Sequence, residues 1–221
     1  MIRKDYFLRL VEQATKGIRY ALMGVEAGDY TEAHEAIGES VRQLLGLGLG
    51  SVANLSDEEL LGILQLYHAQ DWRERSVIMA ALLKTEGDVC GQEGRERSQF
   101  NHYLKSLHLL LAASETADDF PEPVPSVAEL VLLLQDYVLP AHSYQMLLDY
   151  YERTNQLAEG EDMLFTWLEE GGGETTVTAG IHFFQRLAEK SDAELEAGNL
   201  PRAEVEAGLQ ELLETDNSLL Q

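Results

Sequence analysis

Cysteine is nearly absent from this 221-residue sequence, in which Cys90 is the only example. One cysteine cannot form an internal disulfide, and it cannot supply the paired CxxC pattern of a zinc or redox site. Because disulfides persist mainly in oxidising compartments, we expect a protein of the reducing cytoplasm. The acidic stretch EGDV that precedes Cys90 is expected to raise the pKa of its thiol and leave it inert.

Basic residues are scarce, since 16 Lys and Arg stand against 39 Asp and Glu and give a formal net charge of −23. A surface with this charge repels phosphate backbones and anionic lipid headgroups. We therefore expect no nucleic acid partner and no membrane partner. The charge also keeps a protein soluble, so it does not by itself require a basic partner.

Long hydrophobic runs are missing as well. The longest, LHLLLAA and VAELVLLL, are far shorter than the roughly 20 residues that cross a bilayer. Near the start of the chain, Asp5, Arg9 and Glu12 interrupt the apolar region that a signal peptide needs. The sequence therefore predicts a soluble, cytoplasmic protein.

Apolar side chains recur at helical spacing along most of the chain. They fall three or four positions apart from Phe7 to Val25 and again from Ala33 to Leu45. This spacing places them on one face of an α-helix, and no segment shows the sustained alternation of a β-strand, so we expect an all-α protein. Further helices are predicted over Trp72–Gly91, Arg95–Ala112, Ser126–Val138, His142–Arg153, Leu157–Glu170, Val177–Lys190 and Pro201–Leu213.

Local signals mark where several helices start and stop. Ser56, Ser126 and Ser191 are each followed three residues later by Glu, which is the capping-box pattern of a helix start. The glycine-containing runs 46–51 (GLGLGS) and 171–173 (GGG) are expected to end helices.

The stretch 114–125 has no helical stripe and holds three of the five prolines among acidic residues. This composition is typical of a connector. It predicts two helix groups, 1–113 and 126–215, which form either two lobes or a single domain over 1–221.

Two stretches share the pattern of a helical hairpin. Gly28 at a predicted turn is followed five residues later by Ala33, and Asn155 is followed at the same offset by Gly160. Larger apolar residues follow at helical spacing in both. A small residue allows the two helices of a hairpin to approach closely, while the larger residues fill the groove beside it.

This pattern resembles the tetratricopeptide repeat at the turn, at the small residue and at the packing positions of the second helix. Tyr144, Leu147 and Tyr151 match first-helix positions of that repeat, although Leu148 replaces the usual Gly. Two further copies are fainter. The first matches the pattern at Gly87, Gly94, Tyr103 and Leu107, but not at Gln99. The second matches it at Gly198, Leu200, Ala203 and Ala207.

The copies are not evenly spaced. The turn positions Gly28, Gly94, Asn155 and Gly198 lie 66, 61 and 43 residues apart, whereas a tandem array repeats about every 34 residues. The resemblance therefore implies an all-α fold of the type of an irregular tetratricopeptide-like α-α hairpin (helical repeat) array.

Over its whole length the sequence also resembles an uncharacterised family of small acidic bacterial proteins, a domain of unknown function. The segments that carry the resemblance are MIRKDYFLRLVEQ, LLGLGLGSVANLSDEELLGIL and FFQRLAEKSDAELEAGNLPRAEVEAGLQEL. It implies a bacterial origin and transfers no catalytic residues.

Motifs for catalysis, cofactors and metals are not found. The HEAIG stretch at His34 lacks the second histidine of a zinc helix, and no histidine follows a glutamate by three positions as in di-iron bundles. GLGLGS lacks the third glycine of a dinucleotide loop. We expect no catalytic, cofactor-binding or metal-binding residue, and packed or surface positions for His34, His68, His102, His108, His142 and His182.

The leading hypothesis is a non-enzymatic scaffold, because stacked hairpins create concave surfaces that bind a protein or peptide. Tyrosines are the candidate groove residues, although each could instead pack between helices. These tyrosines are Tyr6, Tyr20, Tyr30, Tyr144, Tyr150 and Tyr151.

Two alternatives stay open. An enzyme or small-ligand receptor could have a site between helices that no motif reveals. A self-associating protein could instead use the apolar segments Leu104–Leu111 and Val127–Leu134 as a homo-oligomer interface.

Overall fold

The computed structural model describes the backbone of residues 2–114 and 122–219 and the side chains of 8–114 and 122–216. Within these ranges the chain is all-α, as predicted, with no strand. None of the described helices is both long and apolar enough to cross a bilayer. The helices are α1 (Ile2–Ala27), α2 (Tyr30–Leu45), α3 (Leu49–Asn54), α4 (Asp57–Tyr67), α5 (Trp72–Gln92), α6 (Glu96–Ala113), α7 (Val127–Leu134), α8 (Ala141–Arg153), α9 (Leu157–Glu169), α10 (Gly173–Ala188), α11 (Asp192–Ala197) and α12 (Arg202–Leu219).

The helices form two compact units. The first contains α1 to α7 and is centred on α5, which packs against α1, α2, α4 and α6. Every residue of α5 from Ser76 to Leu83 is buried, so this helix is surrounded by its neighbours on all sides. The second unit contains α8 to α12, with α8 against α9 and α10 against both α9 and α12.

The turns between paired helices share one backbone geometry. The left-handed residue is Gly28, Gly94, Asn155 or Asn199, with φ of 74°, 73°, 56° and 57°. The fourth turn was predicted at Gly198, one residue too early. In each turn an amide reaches the carbonyl five residues back, which closes the helix end as a Schellman motif. These bonds join Asp29 to Gly24, Arg95 to Cys90, Gln156 to Tyr151 and Leu200 to Leu195.

Small residues lie where the paired helices meet. Ala33 is fully buried, and a Cβ at Gly24 would lie 3.0 Å from the Ala33 backbone nitrogen. A Cβ at Gly160 would lie 3.3 Å from the Tyr151 Cβ and 3.0 Å from the Phe183 Cζ. The α1–α2 and α8–α9 hairpins therefore approach closely at the two positions that the sequence singles out.

The fainter copies use different contacts. Gln99 on α6, which does not fit the repeat pattern, lies against Gly91 on α5. A Cβ at Gly91 would be 2.5 Å from the side-chain nitrogen Nε2 of Gln99. On α12, Ala203 and Ala207 are exposed, so their expected packing role is wrong. Gly208 takes that role, because a Cβ there would meet the ring of Phe184.

Two of the three predicted capping boxes are complete, at Ser56 and Ser191. At the third, the Ser126 hydroxyl accepts a hydrogen bond from the Glu129 amide. The Glu129 carboxylate instead pairs with Lys84 at 3.1 Å, which anchors α7 to α5.

Helix boundaries differ from the predictions near glycine and proline. Gly46 ends α2 with φ 74°, but α3 starts within the predicted stop GLGLGS. α7 ends at Leu134, short of the predicted Val138, and α10 starts at Gly173, before the predicted Val177. The predictions treated glycine only as a residue that ends a helix, but glycine can also lie in the first turn of one, as it does in α3 and α10.

The apolar helices on either side of the predicted connector contact each other, since α7 packs against α6. The buried side of α6 includes Leu107, Leu109 and Leu110. Their apolar surface is used inside the first unit. Of the connector itself, residues 115–121 lie outside the described part of the chain.

Candidate functional site

A groove between α8 and α10 in the second unit has room for a ligand. Its volume is about 540 Å³, which lies within the range of roughly 300 to 1,000 Å³ typical of ligand sites. Helix α8 contributes Gln145, Leu148 and Asp149, and α10 contributes Glu174, Thr175, Thr178, Ala179, His182 and Arg186.

The groove has both polar and apolar lining, and its acidic side chains outnumber its one arginine. Asp149 and Glu174 are exposed. The Arg186 guanidinium pairs with the Glu152 carboxylate, with Nη2 2.7 Å from Oε2. This ion pair partly neutralises the single arginine of the groove. A ligand with positive charge therefore suits the lining better than an anion.

Most of the predicted groove tyrosines lie elsewhere. Tyr144, Tyr150 and Tyr151 are buried, so for these three the packing alternative is correct. Tyr20 is 50% exposed on α1, and Tyr30 is partly exposed at the start of α2. The side chain of the sixth candidate, Tyr6, lies outside the described residues.

Tyr144 is buried through both ring stacking and hydrogen bonds. Its ring stacks on Trp167 with centroids 5.2 Å apart and planes 6° from parallel. Its hydroxyl donates to the Glu170 carboxylate and accepts a bond from the Leu139 amide. Burial, with Glu170, raises the pKa of Tyr144 above its ordinary value.

The first unit contains a buried polar cluster that the sequence did not predict. Glu86 and Cys90 are one helical turn apart on α5, and His102 faces them from α6. One potential ligand atom from each of the three lies within 4.8 Å of the other two. All three residues are at least nine-tenths buried.

Within the described ranges, two of these side chains have unsatisfied polar atoms. Glu86 Oε2 and His102 Nδ1 are buried and have no hydrogen-bond partner. A buried polar group without a partner costs about 1 to 3 kcal/mol. Both atoms could therefore accept a ligand or a hydrogen bond.

The surroundings shift the pKa values of all three groups. Burial, reinforced by Glu86, raises the pKa of Cys90 to about 11, which agrees in direction with the expected inert thiol. Burial lowers the pKa of His102 to about 4, so its imidazole is neutral at pH 7. Burial also raises the pKa of Glu86, although the nearby His34 opposes the shift.

His34 on α2 closes the exposed side of the cluster. Its Nδ1 lies 2.8 Å from Glu86 Oε1. Its Nε2 lies 2.9 Å from Glu93 Oε2. Arg95 Nη2 lies 3.2 Å from Cys90 Sγ and donates to it.

A second buried histidine has a different partner. His108 Nδ1 contacts the Asp57 carboxylate, and Lys105 Nζ lies 3.3 Å from the same carboxylate. Burial acts to raise the pKa of Asp57, but His108 and Lys105 outweigh it and hold this pKa below its ordinary value. His108 therefore has an acidic partner, unlike His102.

The sequence contained two weak signals of the cluster. Glu86 and Cys90 lie at i and i+4 spacing and so share a face of α5, and His102 interrupts the apolar stripe of the next helix. Because the three come from two helices, no linear motif connects them.

The sequence matches the model of a protein family. A profile with the description "Family of unknown function (DUF6483)" covers residues 1–217. This agrees with the resemblance of the sequence to an uncharacterised family. No curated protein and no solved structure matches the chain.

Proposed function

We propose that this chain, which belongs to the DUF6483 family of unknown function, is a non-enzymatic scaffold that binds a positively charged peptide segment of a partner protein. The observation that carries the proposal is the open, acidic groove between α8 and α10. The scaffold holds its partner and performs no chemistry on it.

The helix arrangement of the second unit supports a tetratricopeptide-like scaffold. α8 pairs with α9, and α10 pairs with α12, so that α8 and α10 are the first helices of successive hairpins. Stacked hairpins present extended concave binding surfaces. Gly160 on α9 fits this arrangement, since it allows close contact with both Tyr151 on α8 and Phe183 on α10.

Charge supports a cationic protein segment as the partner. Asp149 and Glu174 line opposite sides of the groove, and the whole chain has a formal net charge of −23. A field of this sign accelerates the encounter with a cationic segment and opposes that with nucleic acid or anionic lipid. Within the groove, Gln145, Thr175 and Thr178 can form hydrogen bonds with the backbone of an extended peptide.

The same proposal places the protein in the cytoplasm of a bacterium. The single cysteine fits a reducing compartment, and the resemblance to a bacterial family supports the origin. Self-association is not required, because the groove is built within one chain.

A random peptide display library tests the proposal. Panning on the full-length protein should enrich peptides that contain Lys or Arg, and fluorescence anisotropy then gives their affinity. The double variant Asp149→Asn/Glu174→Gln should bind the selected peptides roughly tenfold more weakly, because it removes two ion pairs of about 0.7 kcal/mol each.

The matched control is Glu196→Gln/Glu206→Gln, which removes the same charge from exposed positions on α11 and α12. It should retain nearly the wild-type affinity. An equal loss of affinity in both double variants would show that only the net charge of the protein matters, which contradicts binding in the groove. Enrichment of neutral or acidic peptides would also contradict the proposal.

A further inference from the structure

The cluster on α5 and α6 has the donor set of a transition-metal site. A thiol, an imidazole and a carboxylate are the three side-chain types that bind Zn²⁺, whereas Ca²⁺ and Mg²⁺ prefer oxygen alone. Bond lengths of about 2.0 to 2.3 Å place tetrahedral zinc ligands roughly 3.3 to 3.7 Å apart. Since the ligand atoms here already lie within 4.8 Å of one another, adjustments of about 1 Å assemble the site.

We propose that Glu86, Cys90 and His102 bind a Zn²⁺ ion that ties α5 to α6. The ion accounts for the buried Glu86 Oε2 and His102 Nδ1, for which the described residues offer no hydrogen bond. On binding, the Cys90 thiol loses its proton to solvent and sulfur donates an electron pair to the metal.

His34 and Glu93 complete the arrangement. His34 Nδ1 is beside Glu86 Oε1 at 2.8 Å and is the nearest candidate for a fourth ligand. Arg95 Nη2 also lies 2.7 Å from His34 Nε2. On metal binding it must therefore turn fully to Cys90 Sγ, which leaves Nε2 to carry a proton that Glu93 Oε2, 2.9 Å away, accepts. This is the carboxylate–histidine–metal relay that orients a metal-binding imidazole. Glu93 is a positioning residue.

Charges balance once the ion is bound. The metal and Arg95 carry three positive charges, and the Cys90 thiolate, Glu86 and Glu93 carry three negative ones. Arg95 Nη2 donates to Cys90 Sγ over 3.2 Å, which stabilises a thiolate. Because the three ligands are buried, this is a structural site: a catalytic zinc keeps a position open to substrate.

Cobalt substitution tests the proposal directly. The full chain, reduced and stripped of metal, is titrated with Co²⁺ in excess Mg²⁺, which occupies weak carboxylate sites. We expect one Co²⁺ per chain with a thiolate-to-cobalt charge-transfer band, and displacement of Co²⁺ by Zn²⁺. A wild-type protein without this band overturns the proposal, whether or not it binds metal elsewhere.

Variants assign the ligands. Cys90→Ala should lose the band while keeping the helical circular dichroism, and a band that persists would overturn the assignment. Glu93→Gln should keep the band but weaken Zn²⁺ affinity about 10- to 100-fold. His142→Gln, at an exposed histidine of the second unit outside the groove, should leave both unchanged. Loss of affinity in this control would contradict the site.

Discussion

The ring of Tyr103 occupies the space that a side chain at Gly87 would need. An ideal Cβ at Gly87 would lie 2.4 Å from the Tyr103 Cε1. The ring is held in place, because its hydroxyl donates to Asp88 over 2.8 Å and accepts from Gln99 over 3.2 Å. The closest packing of α5 and α6 therefore depends on this glycine.

Gly87→Ala should destabilise the first unit by about 1 to 3 kcal/mol, because the anchored ring must shift to admit the methyl group. This loss exceeds the gain of about 1 kcal/mol in helix propensity. Urea unfolding followed by the fluorescence of Trp72, on the same helix, measures the change.

The matched control is Gly62→Ala, in the interior of α4, where a Cβ meets nothing within 4 Å. It should stabilise the protein by up to about 1 kcal/mol. Opposite signs for the two changes are expected, and stabilisation by Gly87→Ala would refute the close contact.

Much of the fold follows from the sequence because helical periodicity is local. The pattern around Gly28 and Asn155 locates turns whose left-handed residues are the ones predicted. The left-handed position was predicted at Gly198 but lies at the next residue, Asn199, because Asn also tolerates positive φ. A local pattern therefore predicts the presence of a turn more reliably than the residue that adopts the left-handed conformation.

Sites that depend on two helices could not be predicted. The groove requires α8 and α10, which are separated in sequence by α9, to lie side by side. His102 meets Cys90 only after α6 folds back along α5. Sequence spacing places residues on one face of one helix, but it does not say which other helix that face meets.

Tyr144→Phe should destabilise the second unit by about 1 to 2 kcal/mol. The change leaves the Leu139 amide without its acceptor and Glu170 without its donor. Fluorescence of Trp167, which stacks on the same ring, reports the unfolding. Tyr20→Phe, at a half-exposed tyrosine, should change the stability by less than about 0.5 kcal/mol. Equal effects of the two substitutions would contradict the role of the hydroxyl.

Glu161 should make the second unit less stable as the pH rises. Burial, with repulsion from Glu204, Asp162 and Glu211, raises the pKa of Glu161 to about 7. The folded state therefore holds a proton that the unfolded state releases near pH 4.3. Stability from this group is complete below that pH and is lost progressively up to about pH 7.

Glu161→Gln should remove this loss and stabilise the protein at pH 8 on the order of 1 kcal/mol, since solvent screens a partly exposed carboxylate. Thermal unfolding at pH 5 and pH 8, monitored by Trp167, measures it. Glu159→Gln, exposed on the same helix, should show no comparable gain. A wild-type protein whose stability does not fall over this range would contradict the shifted pKa.

The most direct test of the scaffold is to locate the bound peptide by NMR. With a cationic peptide from the display selection, backbone amide shifts should change in α8 and α10, at Gln145, Thr178 and Ala179 among others. The shift changes should be clearly smaller in Asp149→Asn/Glu174→Gln at the same peptide concentration. Shift changes confined to α1 through α7, or equal changes in this variant, would contradict binding in the groove.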